Sequence, residues 1–180
     1  MTTPRVLVTA ASRHGATQEI AEVLARRLPE SPAGRAAGLT AIALPVGHQP
    51  DPGHFTAVVL GSAVYAGRWL EPARTYTATR AATLRERPVW LFSSGPIGAP
   101  PFPADDPYDA GPLAELSGAR EHRVFPGRLD PARLGVGERA MVTAMRAPVG
   151  DFRDWGAVRA WADEIAEDLV RVPLPVVDRP

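Results

Sequence analysis

The segment Thr9-Ala10-Ala11-Ser12-Arg13-His14-Gly15-Ala16-Thr17 places two hydroxyls, a histidine, an arginine and a glycine between an apolar run and the first residues with helical spacing. The start of a helix leaves backbone N–H groups without acceptors and carries the positive end of the helix dipole. A phosphate placed there gains several hydrogen bonds at once. Ser12 and Thr17 add hydroxyl donors, Gly15 lets the backbone approach closely, and His14 and Arg13 can meet negative charge. The same residue types would also serve an ordinary strand-to-helix turn with a serine or threonine cap, so this segment alone leaves two readings open.

Stepping outward, short apolar runs read as strands at Val6–Thr9, Leu39–Leu44, Ala57–Gly61, Val89–Ser93 and Arg123–Phe125. The first, third and fourth are almost continuously apolar, as expected when helices cover both faces of a parallel sheet. Ile20, Val23, Leu24 and Leu28 recur at helical spacing, and Pro29 with the residues up to Gly38 is expected to stop that helix. A second helix is expected over Glu71–Arg87. A third carries Val158, Trp161, Ile165 and Leu169 after Asp154 as its cap. Alternation of strands and helices implies right-handed crossovers and a doubly wound, five-stranded parallel sheet with helices on both faces.

In such a sheet the ligand crevice lies beyond the carboxyl ends of the strands. Two further segments leave strand ends there and should meet the first. Ser62-Ala63-Val64-Tyr65-Ala66-Gly67-Arg68-Trp69 reads as a loop with two aromatics able to stack on a planar ring, and Ser94-Gly95-Pro96-Ile97-Gly98 follows the fourth strand. Three converging loops suit a flat mononucleotide. The stretch from Pro96 to Pro112, rich in proline and containing Asp105, Asp106 and Asp109, reads as a long surface loop. Its acidic residues do not reproduce a calcium-binding pattern. His48, His54 and His122 lack metal-ligand spacing, and no metal site is expected.

Composition narrows the chemistry. With no cysteine, thiolate metal sites, iron–sulfur clusters and a cysteine nucleophile are excluded, so redox chemistry would need a cofactor. Acidic and basic residues balance at 20 each, which advertises neither nucleic acid nor an anionic membrane. All the basic residues are arginine, in keeping with the abundance of alanine and proline. There is no Gly-x-Ser-x-Gly elbow. No apolar stretch is of membrane-spanning length and no leader pattern is visible, so the expected location is cytoplasmic. One domain over residues 1–172 and a flexible tail over 173–180 are expected.

Ser12-Arg13-His14-Gly15-Ala16-Thr17 is similar to the Ser/Thr-x-Thr-Gly-x-Thr phosphate loop of the flavodoxin family, with His14 where a hydroxyl residue is usual. That variant resembles the branch containing menaquinone-dependent protoporphyrinogen dehydrogenases. The resemblance extends to Gly127-Arg128-Leu129-Asp130, a helical stretch around Glu138–Met145, and Gly150-Asp151-Phe152-Arg153-Asp154-Trp155. It implies FMN as cofactor, with Ser12, His14, Gly15 and Thr17 around its phosphate. Ser62 to Gly67 and Ser94 to Gly98 would then flank the isoalloxazine, with Tyr65 or Trp69 near a ring face.

The function expected on this basis is an FMN-dependent oxidoreductase in which the cofactor performs the chemistry and no side chain acts as nucleophile. A quinone or porphyrinogen is the implied partner class. An electron carrier shuttling between protein partners is the second reading, against which the neutral charge balance counts. An interaction scaffold that has lost FMN is the third.

Overall fold

A computed structural model describes residues 3–98, 106–175 and 177. Five parallel strands, β1 (Arg5–Ala11), β2 (Thr40–Pro45), β3 (Ala57–Tyr65), β5 (Val89–Ser94) and β6 (Glu121–Phe125), lie in the order β2-β1-β3-β5-β6. A two-residue strand, β4 (Arg68–Trp69), runs antiparallel to the end of β3. The chain leaves β1 to one side and returns to pair β3 on the other, so the order reverses at β1 and the crevice opens there.

Side-chain alternation along β1 divides the core in two. Val6, Val8 and Ala10 face α1 (Ala16–Glu30) and α7 (Trp155–Arg171), where Phe92, Phe125 and Trp161 pack edge to face at centroid separations of 5.5–6.2 Å. Leu7 and Ala11 face the other side, with Leu60, Trp69, Tyr76 and Leu113. Asp154 caps α7 as expected, its carboxylate accepting the Ala157 N–H at 2.9 Å.

Several boundaries differ from the sequence reading, each for a local reason. Pro29 lies inside the last turn of α1, and the chain then turns directly into a short helix, α2 (Pro32–Ala37), instead of a loop. Buried Ser31 makes that junction by donating to Leu28 O at 2.8 Å and accepting from Gly34 N–H at 2.9 Å. The helix expected over Glu71–Arg87 is two, α3 (Glu71–Thr79) and α4 (Ala81–Arg85), broken at Arg80. Thr77 and Thr79 donate their hydroxyls back to carbonyls four residues earlier, which bends a helix already weakened by β-branching.

The stretch expected to remain loop to Pro112 turns helical at α5 (Ala110–Ser117); residues 99–105 lie outside the described region. Of the expected tail, 173–175 and 177 are described, and Leu174 packs against the α1/α7 side of the core. After β6 come β7 (Arg128–Leu129), α6 (Val136–Ala144) and β8 (Gly150–Asp151), with β7 and β8 paired antiparallel. Among the described residues no helix is long and apolar enough to cross a membrane.

Candidate functional site

β1 ends at Ala11 and α1 begins at Ala16, so Ser12 to Gly15 form the turn above the carboxyl end of the first strand. Gly15 is the N-cap residue, in a left-handed conformation with φ of 87° that disfavours any side chain. Its N–H is donated to Ser12 Oγ at 3.0 Å. No side chain caps α1, and among the described residues the N–H groups of Ala16, Thr17 and Gln18 meet no protein acceptor. Those three donors point outward from the helix mouth, as an anion site requires.

A cavity of about 190 Å³ lies at this mouth. From the first loop it is lined by Ser12, Arg13, His14, Ala16 and Thr17. From β3 it takes Ala63, Val64 and Tyr65, and from the end of β5 Ser94, Gly95 and Ile97. The three expected segments therefore converge. The cavity is below the range of about 300–1,000 Å³ typical of enclosed ligand sites.

The second segment is a hairpin where a loop was expected. β3 continues through Ser62, Ala63, Val64 and Tyr65, and Ala66 and Gly67 turn the chain with φ of 49° and 74° into β4. The turn is fixed from outside, since Tyr108 donates its N–H to Gly67 O at 2.8 Å and its ring leaves no room for a Cβ there. Two candidates from this segment are committed to the scaffold. Ser62 Oγ donates to Ala63 O and accepts the Leu70 N–H. Trp69 is buried, with its indole N–H donated to Ser93 Oγ at 2.7 Å and its backbone N–H to the Asp109 carboxylate. Trp69 thus belongs to the core and is not presented to the cavity, because the hairpin folds it back under the sheet. Tyr65 is the aromatic at the cavity, and the Arg13 guanidinium lies over its ring at 5.3 Å. Burial, with the nearby Glu138 carboxylate, raises the Tyr65 phenol above its ordinary range despite Arg13.

Beyond β5, Gly95 donates its N–H to Phe125 O and Pro96 O accepts from Gly127 N–H at 2.7 Å. Gly98 holds a φ of 81°. These bonds draw in a fourth wall that the sequence reading did not assign: Gly127, Arg128 and Leu129. Their position directly after the fifth strand's carboxyl end was the available signal. Glu138, from α6, was also missed. It meets Arg13 Nε at 3.0 Å and His14 Nε2 at 3.2 Å, and its carboxyl is held low by the Gly135 N–H together with His14 and Arg13.

Among the described residues no group of histidine and carboxylate side chains is arranged to hold a metal. A larger groove, about 470 Å³, lies at the opposite end of the sheet between Pro4, α2 and the end of α7; Ala33, Ala36, Leu169 and Leu174 on its walls offer no chemistry.

The flavodoxin domain model matches residues 7–154. No curated protein matches the sequence. Among solved structures, a flavodoxin from the domain Archaea is 12% identical with a TM-score of 0.62, covering 92% of this chain and 99% of that one. An oxidoreductase from Corynebacterium diphtheriae is 13% identical with a TM-score of 0.59 over 96% and 100% of the two chains. Rubredoxin oxygen:oxidoreductase from Desulfovibrio gigas matches at 13% identity and a TM-score of 0.60, covering 93% of this chain and only 36% of its own. The chain belongs to the flavodoxin family, a family of redox domains that bind FMN.

Proposed function

We propose that this protein is an FMN-dependent oxidoreductase, with a quinone or porphyrinogen as the class of redox partner to test first. The observation that carries the proposal is the uncapped mouth of α1 opening on a cavity walled by Ser12–Thr17, the end of β3 and Ser94–Ile97. The residues fit the cofactor's phosphate: three amides without acceptors among the described residues, a glycine that keeps the backbone approachable, and the Ser12 and Thr17 hydroxyls beside them. When bound, FMN supplies the electron-accepting ring, and the protein's share is to hold and orient it. Val64, Tyr65, Gly95 and Ile97 would border that ring, and Pro96 and Gly98 would shape the turn beneath it.

The segments around Arg128 and Arg153 resemble the protoporphyrinogen dehydrogenase branch and support a partner of that kind. α6, next to the phosphate loop, exposes Met141, and Met145 directly after it is exposed too, an apolar approach suited to such partners. The balanced charge offers little steering toward a protein partner.

The test is direct. Purified protein, or protein incubated with FMN, should show the two absorption bands of oxidised flavin, and after anaerobic reduction it should be reoxidised faster by a quinone than by a carrier-type protein acceptor; a porphyrinogen, which gives up electrons, should instead reduce the oxidised flavin. Colourless protein that takes up no FMN refutes the proposal. A long-lived one-electron reduced form that ignores small oxidants points to the carrier.

A further inference from the structure

α6 is built inside out. A helix on the surface of a globular protein normally turns its apolar stripe toward the core and its polar side to water. At about 3.6 residues per turn, Val136, Gly137, Ala140, Met141 and Ala144 share one half of the α6 cylinder, and Met145, its helical C-cap residue, extends that half. All six are exposed, Val136 to 87% and Met141 to 64%. The opposite half carries Glu138, Arg139, Val142 and Thr143, of which Glu138 and Val142 are partly covered and Glu138 reaches Arg13 and His14. The helix thus buries no residue and is tied down through its polar side. Single exposed apolar residues are ordinary, whereas a contiguous half-cylinder of them marks a contact surface.

Charge indicates what the surface meets. The overall balance of 20 acidic and 20 basic residues conceals a local excess, since Glu138 is the one acid between Pro131 and Val149 and is engaged by Arg13 and His14. Arg133 is answered by Asp130 at 3.5 Å, but Arg139 and Arg146 are exposed and meet no carboxylate among the described residues. Two copies docked through this same face would bring their cationic rims together with no acid to answer them. A protein partner is normally matched by charges of both signs, whereas an anionic bilayer offers one sign everywhere. An apolar helix face rimmed only by arginine is the pattern of an interfacial helix, with its apolar side chains in the headgroup boundary and its guanidinium groups at the lipid phosphates.

We infer that the exposed face of α6 is a docking surface for an anionic lipid bilayer. The inference stands apart from the FMN reading, because docking needs no cofactor. Where both hold, Glu138 keeps α6 beside the Ser12–Gly15 turn, so the docked protein carries its cavity next to the phase in which lipid-soluble quinones dissolve.

The experiment is co-sedimentation of the purified protein with vesicles of phosphatidylcholine alone, or of phosphatidylcholine and phosphatidylglycerol in equal parts, at low and high salt. Wild-type protein should bind the mixed vesicles, leave the neutral ones, and bind less as salt rises. M141D/M145D and R139Q/R146Q should each weaken binding about tenfold or more. The substituted side chains are exposed, so melting temperatures near wild type will show that the fold is kept. R26Q/R159Q removes two exposed arginines from α1 and α7 and should bind as wild type does. Wild-type protein that ignores the mixed vesicles overturns the inference, as does M141D/M145D binding undiminished, or R26Q/R159Q weakening as much as R139Q/R146Q. A solution dimer that M141D/M145D dissociates, without vesicle binding, also overturns it and gives the face to a second copy. Flavin uptake is read separately, so loss of the cofactor reading leaves this result untouched.

Discussion

Gly61→Ala puts a methyl group where the core has no space for one. Gly61 is aligned with Phe92 across β3 and β5, and the Phe92 ring lies over it: a Cβ at Gly61 would come within 3.0 Å of Cε1, Cζ and Cε2. The ring is fully buried and boxed in by Phe125 and Trp161, each at 6.2 Å, so it cannot swing aside without moving both. Overpacking of this kind costs about 1–3 kcal/mol, and three ring atoms in conflict place this case near the upper end. For a chain of this length each kcal/mol shifts the melting temperature by about 2–4 °C, so a fall of roughly 6–12 °C is expected by calorimetry. Phe92→Leu removes the obstructing ring edge. In a double-mutant cycle it should recover at least about 0.5 kcal/mol of the Gly61→Ala loss. A melting temperature within 2 °C of wild type, against the roughly 6 °C or more expected, or additive losses in the double mutant, would refute the packing argument.

The Ser12–Thr17 turn, proposed to hold the phosphate, yields a second expectation, read by FMN titration: Thr17→Ala should weaken binding severalfold by removing a donor. Gly15→Asp should weaken it further, through a strained left-handed backbone and a like charge at the phosphate; unchanged affinity in both would place the phosphate elsewhere. A third expectation concerns pH. Burial holds the His122 imidazole below the usual histidine range, opposed by Asp106, Asp109 and Glu121, and its Nε2 lies 2.7 Å from Ser93 Oγ. Ser93 already accepts the Trp69 N–H, so every group is satisfied when the serine hydroxyl donates to neutral His122. Because the folded pKa is depressed, this contribution is complete above the unfolded pKa of about 6.5 and is lost as pH falls through the folded value. Melting temperatures of wild-type protein should therefore decline below that pH more steeply than those of His122→Gln; parallel curves would contradict this.

The sheet was legible because its strands are written as unbroken apolar runs: Val6–Thr9, Ala57–Gly61 and Val89–Ser93 all lie inside observed strands. The Ser62–Trp69 hairpin was not, since its residues are small and mixed, and its turn places Ala66, a non-glycine, at positive φ. The contacts that make this tolerable, Tyr108 on Gly67 and Asp109 on Trp69, come from some 40 residues away and leave no local trace. The site divides the same way. Ser12–Thr17 was readable as a strand-to-helix turn, whereas Arg128 reaches the cavity only because β7 pairs with β8, a partnership between residues 128 and 151 that periodicity cannot reveal.

That pairing explains why charged groups are buried beside the Ser12–Gly15 turn at all. Arg153 keeps 3% of its side chain exposed, contacts Asp151 and Glu19, donates to Ala16 O, and lies over the Trp155 ring at 4.5 Å. Desolvating such a network roughly cancels its Coulomb gain, so it is poorly explained as a source of stability. Its geometry has another consequence. Glu19 stands in the first turn of α1, and by holding Arg153 and Arg128 together it ties the β7–β8 ribbon to the helix whose amides face the cavity. Burial would raise the Glu19 pKa, but both arginines outweigh it and hold the carboxyl below its ordinary range, so the tie stays ionised at neutral pH. The network thus fixes the fourth wall at a set distance from the helix mouth, a job that apolar packing, lacking direction, would do less well.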